Sequence, residues 1–313
     1  MHAYYNPQFE LPLPPGHAFP MAKYRRLYEA VRDNAPAWGI TLHEPAPASD
    51  EDLRRVHCPA YIARMRSGDV RPDEMRRIGF PWSPAMVARS CLSGGATIAA
   101  LRAAISHATV AVNLAGGTHH AAYDRGGGYC VFNDAVVAAR HAQAHGLARR
   151  LLVIDLDAHH GNGTAMLCAH DPTIFTFSMH AAKAYPAIKP ASDLDVALSP
   201  GTGDADYLDL LARHLPQAIA RSEADAAIYL AGADPFAGDR LGGLGLSAPG
   251  LAQRDRAVFA ACARAGLPVA VAMAGGYAPD PEDIVAIHLR TVQLAAGSAR
   301  ARALPMVTPV ATG

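Results

Sequence analysis

Short runs of apolar residues punctuate this chain: Gly39–Leu42, Thr109–Leu114, Leu151–Leu156, Thr173–Ser178, Ala226–Ala231 and Val269–Met273. Each is continuously apolar instead of alternating. A strand covered on one face alternates between apolar and polar positions, whereas a strand buried on both faces does not. These runs therefore read as strands of a parallel sheet. Alanine-rich stretches of helical character lie between them, such as Asp134–His145 and Asp206–Arg221. This strand-helix-strand order predicts a three-layer α/β/α fold with a central, mostly parallel sheet. No internal repeat or low-complexity linker interrupts it, so a single domain over residues 1–313 is expected.

The ends of the runs carry the functional signal. Thr109–Leu114 leads into AGGTHH, Leu151–Leu156 into DAHHGNG and Thr173–Ser178 into MH. Ala226–Ala231 leads into GADPFAGDR and Val269–Met273 into AGGY. Open α/β sheets bind ligands at the carboxyl ends of their strands. Polar clusters at successive strand ends thus predict one shared site.

Composition narrows the class. The chain has 313 residues, of which 50% are hydrophobic, enough for a large core. Lys plus Arg and Asp plus Glu both total 28, so no net charge draws the chain to nucleic acid or to an anionic membrane. We expect neither as a partner. The cysteines are Cys58, Cys91, Cys130, Cys168 and Cys262; their number is odd and no C-x-x-C pair occurs, which suits reduced thiols in a cytoplasm. The N-terminal residues carry no basic segment followed by an apolar run, so no secretory leader is expected.

In Asp155-Leu156-Asp157-Ala158-His159, residues two apart share a face if the chain stays extended. Two carboxylates on one buried face repel and lose solvation, and a divalent cation resolves both costs. The bland reading is a helix cap with an incidental histidine, which leaves the spacing unexplained. A third ligand should come from another strand end, and Asp234 in Gly-Ala-Asp-Pro is the best candidate, although Asp-Pro also starts turns. Asp, His and Asp would leave a coordination position open for water, as catalytic zinc requires; iron or manganese also suits such oxygen-rich ligation. His119 and His120 follow a Gly-Gly turn, and one of them is a natural general base. Tyr277 follows Gly275 and Gly276, and its phenol is a candidate donor to an oxyanion.

These residues resemble the histone deacetylase superfamily, with its arginase-like fold. The matching segments are GGTHHA (116–121), RGGGYCVFND (125–134), DLDAHHGNGT (155–164), SMH (178–180), GAD (232–234), GDRLGGL (238–244) and GGY (275–277). RGGG and GDRLGGL look most like class IV deacetylases and their bacterial relatives; HHGNG looks more like class II. The resemblance implies zinc held by Asp157, His159 and Asp234, with His120 as acid and base and Asp155 bonded to His119. It puts Asn162 where some relatives carry an acid facing the second histidine, and Tyr277 at the catalytic tyrosine. Tyr129 and Tyr185 would wall the substrate tunnel, with Gly128, Gly275 and Gly276 beside it. A potassium ion near Asp155 and Ser178 is implied too. The implied activity is removal of acetyl or longer acyl groups from lysine in a protein or peptide, or from a small acylated amine such as an acetylpolyamine. A non-catalytic metal scaffold and a two-manganese ureohydrolase are the other readings. Gly126–Gly128 and Ala274–Gly276, with little or no side chain, would leave room for a fatty tail.

Overall fold

The computed structural model describes residues 1–303. Its strands are β1 (His2–Tyr4), β2 (Thr41–His43), β3 (Val110–Asn113), β4 (Leu151–Asp155), β5 (Ile174–Ala181), β6 (Leu194–Leu198), β7 (Ala226–Leu230) and β8 (Val269–Ala272). They form one eight-stranded sheet in the order β2-β1-β3-β8-β7-β4-β5-β6. Every neighbouring pair is parallel, so the sheet is wholly rather than mostly parallel. The central strands β3, β4, β7 and β8 are buried at every residue, which is why their sequences do not alternate.

The helices are α1 (Lys23–Trp38), α2 (Asp50–Arg54), α3 (Pro59–Ser67), α4 (Pro72–Ile78), α5 (Pro84–Ser106), α6 (Asp134–Ala144), α7 (Asn162–Cys168), α8 (Asp204–Ser222), α9 (Ala248–Arg264) and α10 (Pro281–Ala303). One layer stacks α1, α10, α9 and α8 in succession; the other packs α5 against α6. Among the described residues no helix is long and apolar enough to cross a membrane.

Two expectations shift, and two strands were not foreseen. The run Gly39–Leu42 is only partly strand: Gly39 ends α1 with φ of 66°, and β2 begins at Thr41. β5 runs on to Ala181, so Met179 and His180 lie in the strand rather than beyond its end. β1 and β6 have no apolar run to announce them. β1 is three residues long, and β6, at the sheet edge, exposes alternate positions.

Buried charge fastens the sheet's ligand-binding end. Arg254 of α9 is fully buried, bonds Asp255 at 2.9 Å, and donates to the carbonyls of Gly232 at 2.6 Å and Leu156 at 3.3 Å. Asp255 also accepts from Tyr229 and Thr291, each at 2.6 Å. The chain segments leaving β4 and β7 are thus tied to one helix, directly behind the polar clusters.

Candidate active site

β4 ends at Asp155, and beyond it the chain leaves the sheet. Alternation therefore breaks, and Asp155, Asp157 and His159 do not face one point as an extended chain would make them. Asp155 turns to His119, whose Nδ1 lies 2.7 Å from its Oδ2, and its Oδ1 accepts the Asp157 N–H at 3.2 Å. The group that does converge is Asp157, His159 and Asp234, all buried. His159 Nδ1 stands 3.0 Å from Asp157 Oδ1 and 2.9 Å from Asp234 Oδ2. The other carboxylate oxygens are held by backbone: Gly275 N–H donates to Asp157 Oδ2 at 2.7 Å, and Ala158 N–H to Asp234 Oδ1 at 2.8 Å.

This donor set fits a divalent metal. One nitrogen and two oxygens from buried side chains face one another, and backbone donors orient the rest, as outer partners of metal ligands do. Without a cation the cluster is electrostatically strained. Burial, then the charge of Asp157, pushes Asp234 up to about 7. Burial disfavours a charged His159, yet its bonds to Asp157 and Asp234 outweigh that and hold the ring well above its ordinary value. The cluster draws in a proton where a metal would serve.

His119 and His120 sit beside it with their Nε2 atoms 3.2 Å apart. Burial opposes charge on His119, but the Asp155 and Asp157 carboxylates raise it to about 9. His120 Nδ1 lies 2.6 Å from Asn162 Oδ1; an amide oxygen only accepts, so this pairing assigns the proton to Nδ1 and the lone pair to Nε2. Burial and the adjacent His119 hold His120 well below its ordinary value, so it is neutral.

Tyr277 closes the other side, its ring edge-on to His159 with centroids 6.0 Å apart. Burial, then Asp157 and Asp234, raises its phenol well above the ordinary range, which keeps the hydroxyl a donor. Tyr129 lies 5.8 Å from Tyr277 and Tyr185 4.8 Å from His120, centroid to centroid. With Gly128, these rings line an entrance cavity of about 240 Å³. A second cavity of about 30 Å³ lies inside, against Phe19, Tyr24, Arg89 and Gly275.

The glycines do not leave a large open volume. A Cβ on Gly126 would strike the Cys130 carbonyl, one on Gly275 the Asp234 carboxylate, and one on Gly276 would sit 2.7 Å from Ile284. Gly128 has φ of 50° and His120 only 2.5 Å from a would-be Cβ. These positions are glycine because neighbours fill the space, not because space is empty. The two residues named for a potassium ion, Asp155 and Ser178, are paired across β4 and β5, with Ser178 Oγ 3.0 Å from His180 Nδ1. A second group of potential ligands is His160, His180 and Asp195, with His160 Nε2, in the loop before α7, 3.3 Å from Asp195 Oδ1 of edge strand β6.

Several site residues escape a reading of the sequence. Lys23 is 2% exposed, and its ammonium donates to Gly276 O at 3.2 Å and Ala274 O at 3.5 Å, amid the rings of Phe19, Tyr24 and Tyr277. Asp239 accepts the Tyr277 N–H at 2.6 Å, and Arg240 donates to Tyr277 O at 3.0 Å. A signal for Lys23 did exist. It lies in register with buried Leu27 and Val31, four and eight residues on, so it occupies the apolar stripe of α1.

A candidate metal-binding cluster flanked by a neutral imidazole and a protonated phenol, at the strand ends of a parallel sheet, fits a hydrolytic class. The histone deacetylase domain family matches residues 17–292, and the chain belongs to that family. It is 41% identical over 284 residues to an uncharacterised protein of Picosynechococcus sp., covering 91% of this chain and 94% of that one. It is 30% identical over 280 residues to histone deacetylase 2 of Arabidopsis thaliana, covering 86% and 72%. It is also 30% identical over 280 residues to a histone deacetylase-like amidohydrolase of Pseudomonas aeruginosa, covering 85% and 74%. The crystal structure of the HDA15 HD domain shares the fold, with a TM-score of 0.80 and 21% identity over 95% of this chain and 91% of that one.

Proposed function

We propose that the chain is a zinc-dependent amidohydrolase that removes a short acyl group, acetyl above all, from lysine side chains. The observation that carries this reading is the Asp157, His159 and Asp234 cluster lying between neutral His120 and protonated Tyr277. Those three residues would hold the metal, with iron the other ion their set admits, and the metal supplies Lewis-acid polarisation of the amide and of water.

The protein's own groups do the rest. His120 accepts the proton of the attacking water at Nε2, because Asn162 keeps the Nδ1 proton in place. Tyr277 donates its phenolic hydrogen to the carbonyl oxygen as negative charge grows there. His119, held as a cation by Asp155, keeps its neighbour neutral and makes a proton taken up there easy to release, so that one of the pair returns it to the leaving amine. Tyr129 and Tyr185 flank the aliphatic stem and exclude water from its methylenes.

The inner cavity of about 30 Å³ has room for about two water molecules, which suits acetyl and argues against a long acyl tail. The free state of all five cysteines supports a reducing, cytoplasmic setting. Small acylated amines are the second substrate class, supported by the amidohydrolase relative. The test is kcat/KM on the zinc-loaded protein across acetyl-, butyryl- and octanoyl-lysine peptides and acetylspermidine. A fall from acetyl to octanoyl is expected. A rise would return the fatty-acyl reading, and no turnover on any substrate would leave a metal-binding scaffold.

A further inference from the structure

The entrance cavity is charged with one sign. Arg76 and Arg77, at the carboxyl end of α4, line it together with Tyr129, Tyr185 and Leu241, and no carboxylate does. Arg240 follows close by, its Nε bonded to the Tyr277 carbonyl. Among the described residues, none of these three guanidinium groups has an acidic partner within ion-pair distance. The acids nearest in sequence are already committed. Glu74 pairs with Arg64 at 2.9 Å and Asp73 with Arg71 at 3.1 Å. The Asp239 carboxylate accepts from the backbone N–H groups of Leu241, Gly242 and Tyr277.

Basic residues in the last turn of a helix also complement its dipole, and that role alone would account for two arginines. It does not account for their location. The same stretch of backbone is fastened to the tunnel wall: Gly128 N–H donates to Arg77 O at 3.0 Å, and Tyr129 N–H to Ile78 O at 2.7 Å. The turn that presents both arginines is therefore fixed at the rim, within a Debye length of any group flanking a substrate's stem.

We propose that the substrate carries a carboxylate beside its acylated amine, and that Arg76 and Arg77 select for it. Acyl-lysine among acidic residues and a small acylamine bearing its own carboxylate share this chemistry. A polyamine, with further ammonium groups, meets like charge at the rim. The inference rests on the amidohydrolase reading above.

The experiment uses the full, zinc-loaded chain and acetyl-lysine peptides identical except for Glu, Ala or Lys on both flanks. Free Nε-acetyl-lysine and its α-amide form a second arm, which separates a small acid from a peptide. The expected order in kcat/KM is Glu, then Ala, then Lys, by roughly three- to ten-fold per step at low salt, shrinking as salt is raised. Preference for the free acid over its amide, without an effect of flanking Glu, would support the small-acid source. Arg76→Glu with Arg77→Glu should reverse the order, and Arg76→Lys with Arg77→Lys should preserve it. Equal kcat/KM across the charge series together with equal kcat/KM for the free acid and its amide, or unchanged preferences in the charge-reversed variant, overturns the proposal. Absence of turnover on everything overturns the amidohydrolase reading instead. Calorimetric affinity of the same peptides then still decides charge selection, tighter binding of the Glu-flanked peptide supporting it and equal binding overturning it.

Discussion

A neutral imidazole donates from one nitrogen and accepts at the other, and fully buried His57 uses both. Its Nδ1 lies 2.8 Å from the Ala122 carbonyl, and its Nε2 accepts the Asn133 N–H at 2.9 Å. Burial lowers its pKa to about 4, so the folded ring stays neutral where an unfolded one, near 6.5, takes a proton. The unfolded state then binds more protons, and stability falls as pH drops from about 6.5 to about 4, by about 3 kcal/mol in all. Urea denaturation at pH 7 and at pH 4.5 should register this fall, and His57→Gln should lessen it; an equal pH dependence in both proteins would remove His57 as the cause. At the centre, Tyr277→Phe removes only a donor. It should retain its metal and lose roughly 10²–10³ in kcat. At this scale the convergence of the candidate ligands, both histidines and Tyr277 was legible, because each is polar just beyond the point where an apolar run stops. Lys23 was not, because neighbouring Arg25 and Arg26 make the start of α1 look like a solvated face.

Among the elements, the amino end of α6 has the widest reach. Asp134 Oδ1 accepts from Thr118 N at 2.6 Å and Thr118 Oγ1 at 2.7 Å, and Oδ2 from Gly117 N at 3.0 Å and Thr97 Oγ1 at 2.6 Å. One carboxylate thereby fixes α6, α5 and the loop that presents His119 and His120. Asp134→Ala leaves those buried donors unsatisfied and should cost about 3–4 kcal/mol, together with most of the turnover. Denaturant midpoint and kcat measured together check this; loss of one without the other would separate the anchor from the site. The start of α6 could be read from the sequence, but its anchoring could not, since Thr97 lies 37 residues away. The strands divide in the same way. Those buried on both faces declare themselves by unbroken apolar runs. β1 is too short to do so, and β6 is half-exposed at the edge.

At the scale of the molecule, the order β3-β8-β7-β4 makes neighbours of the strands that carry His119, Tyr277, Asp234 and Asp157. Residues far apart in the chain meet because parallel strands all end on the same side. That convergence followed from the sequence, whereas the order of the strands and the turn of Asp155 away from the cluster depend on packing between segments distant in the chain. The central claim is that Asp157, His159 and Asp234 form one metal site that drives amide hydrolysis. It is tested most directly by stripping the protein with a chelator, reloading it with zinc, and measuring bound metal and acetyl-lysine turnover on the same samples. The native chain should take up one equivalent of zinc and regain turnover, Asp234→Ala should do neither, and Tyr277→Phe should hold zinc without turnover. Full zinc occupancy with normal turnover in Asp234→Ala, or undiminished turnover in the stripped native protein, would contradict the claim.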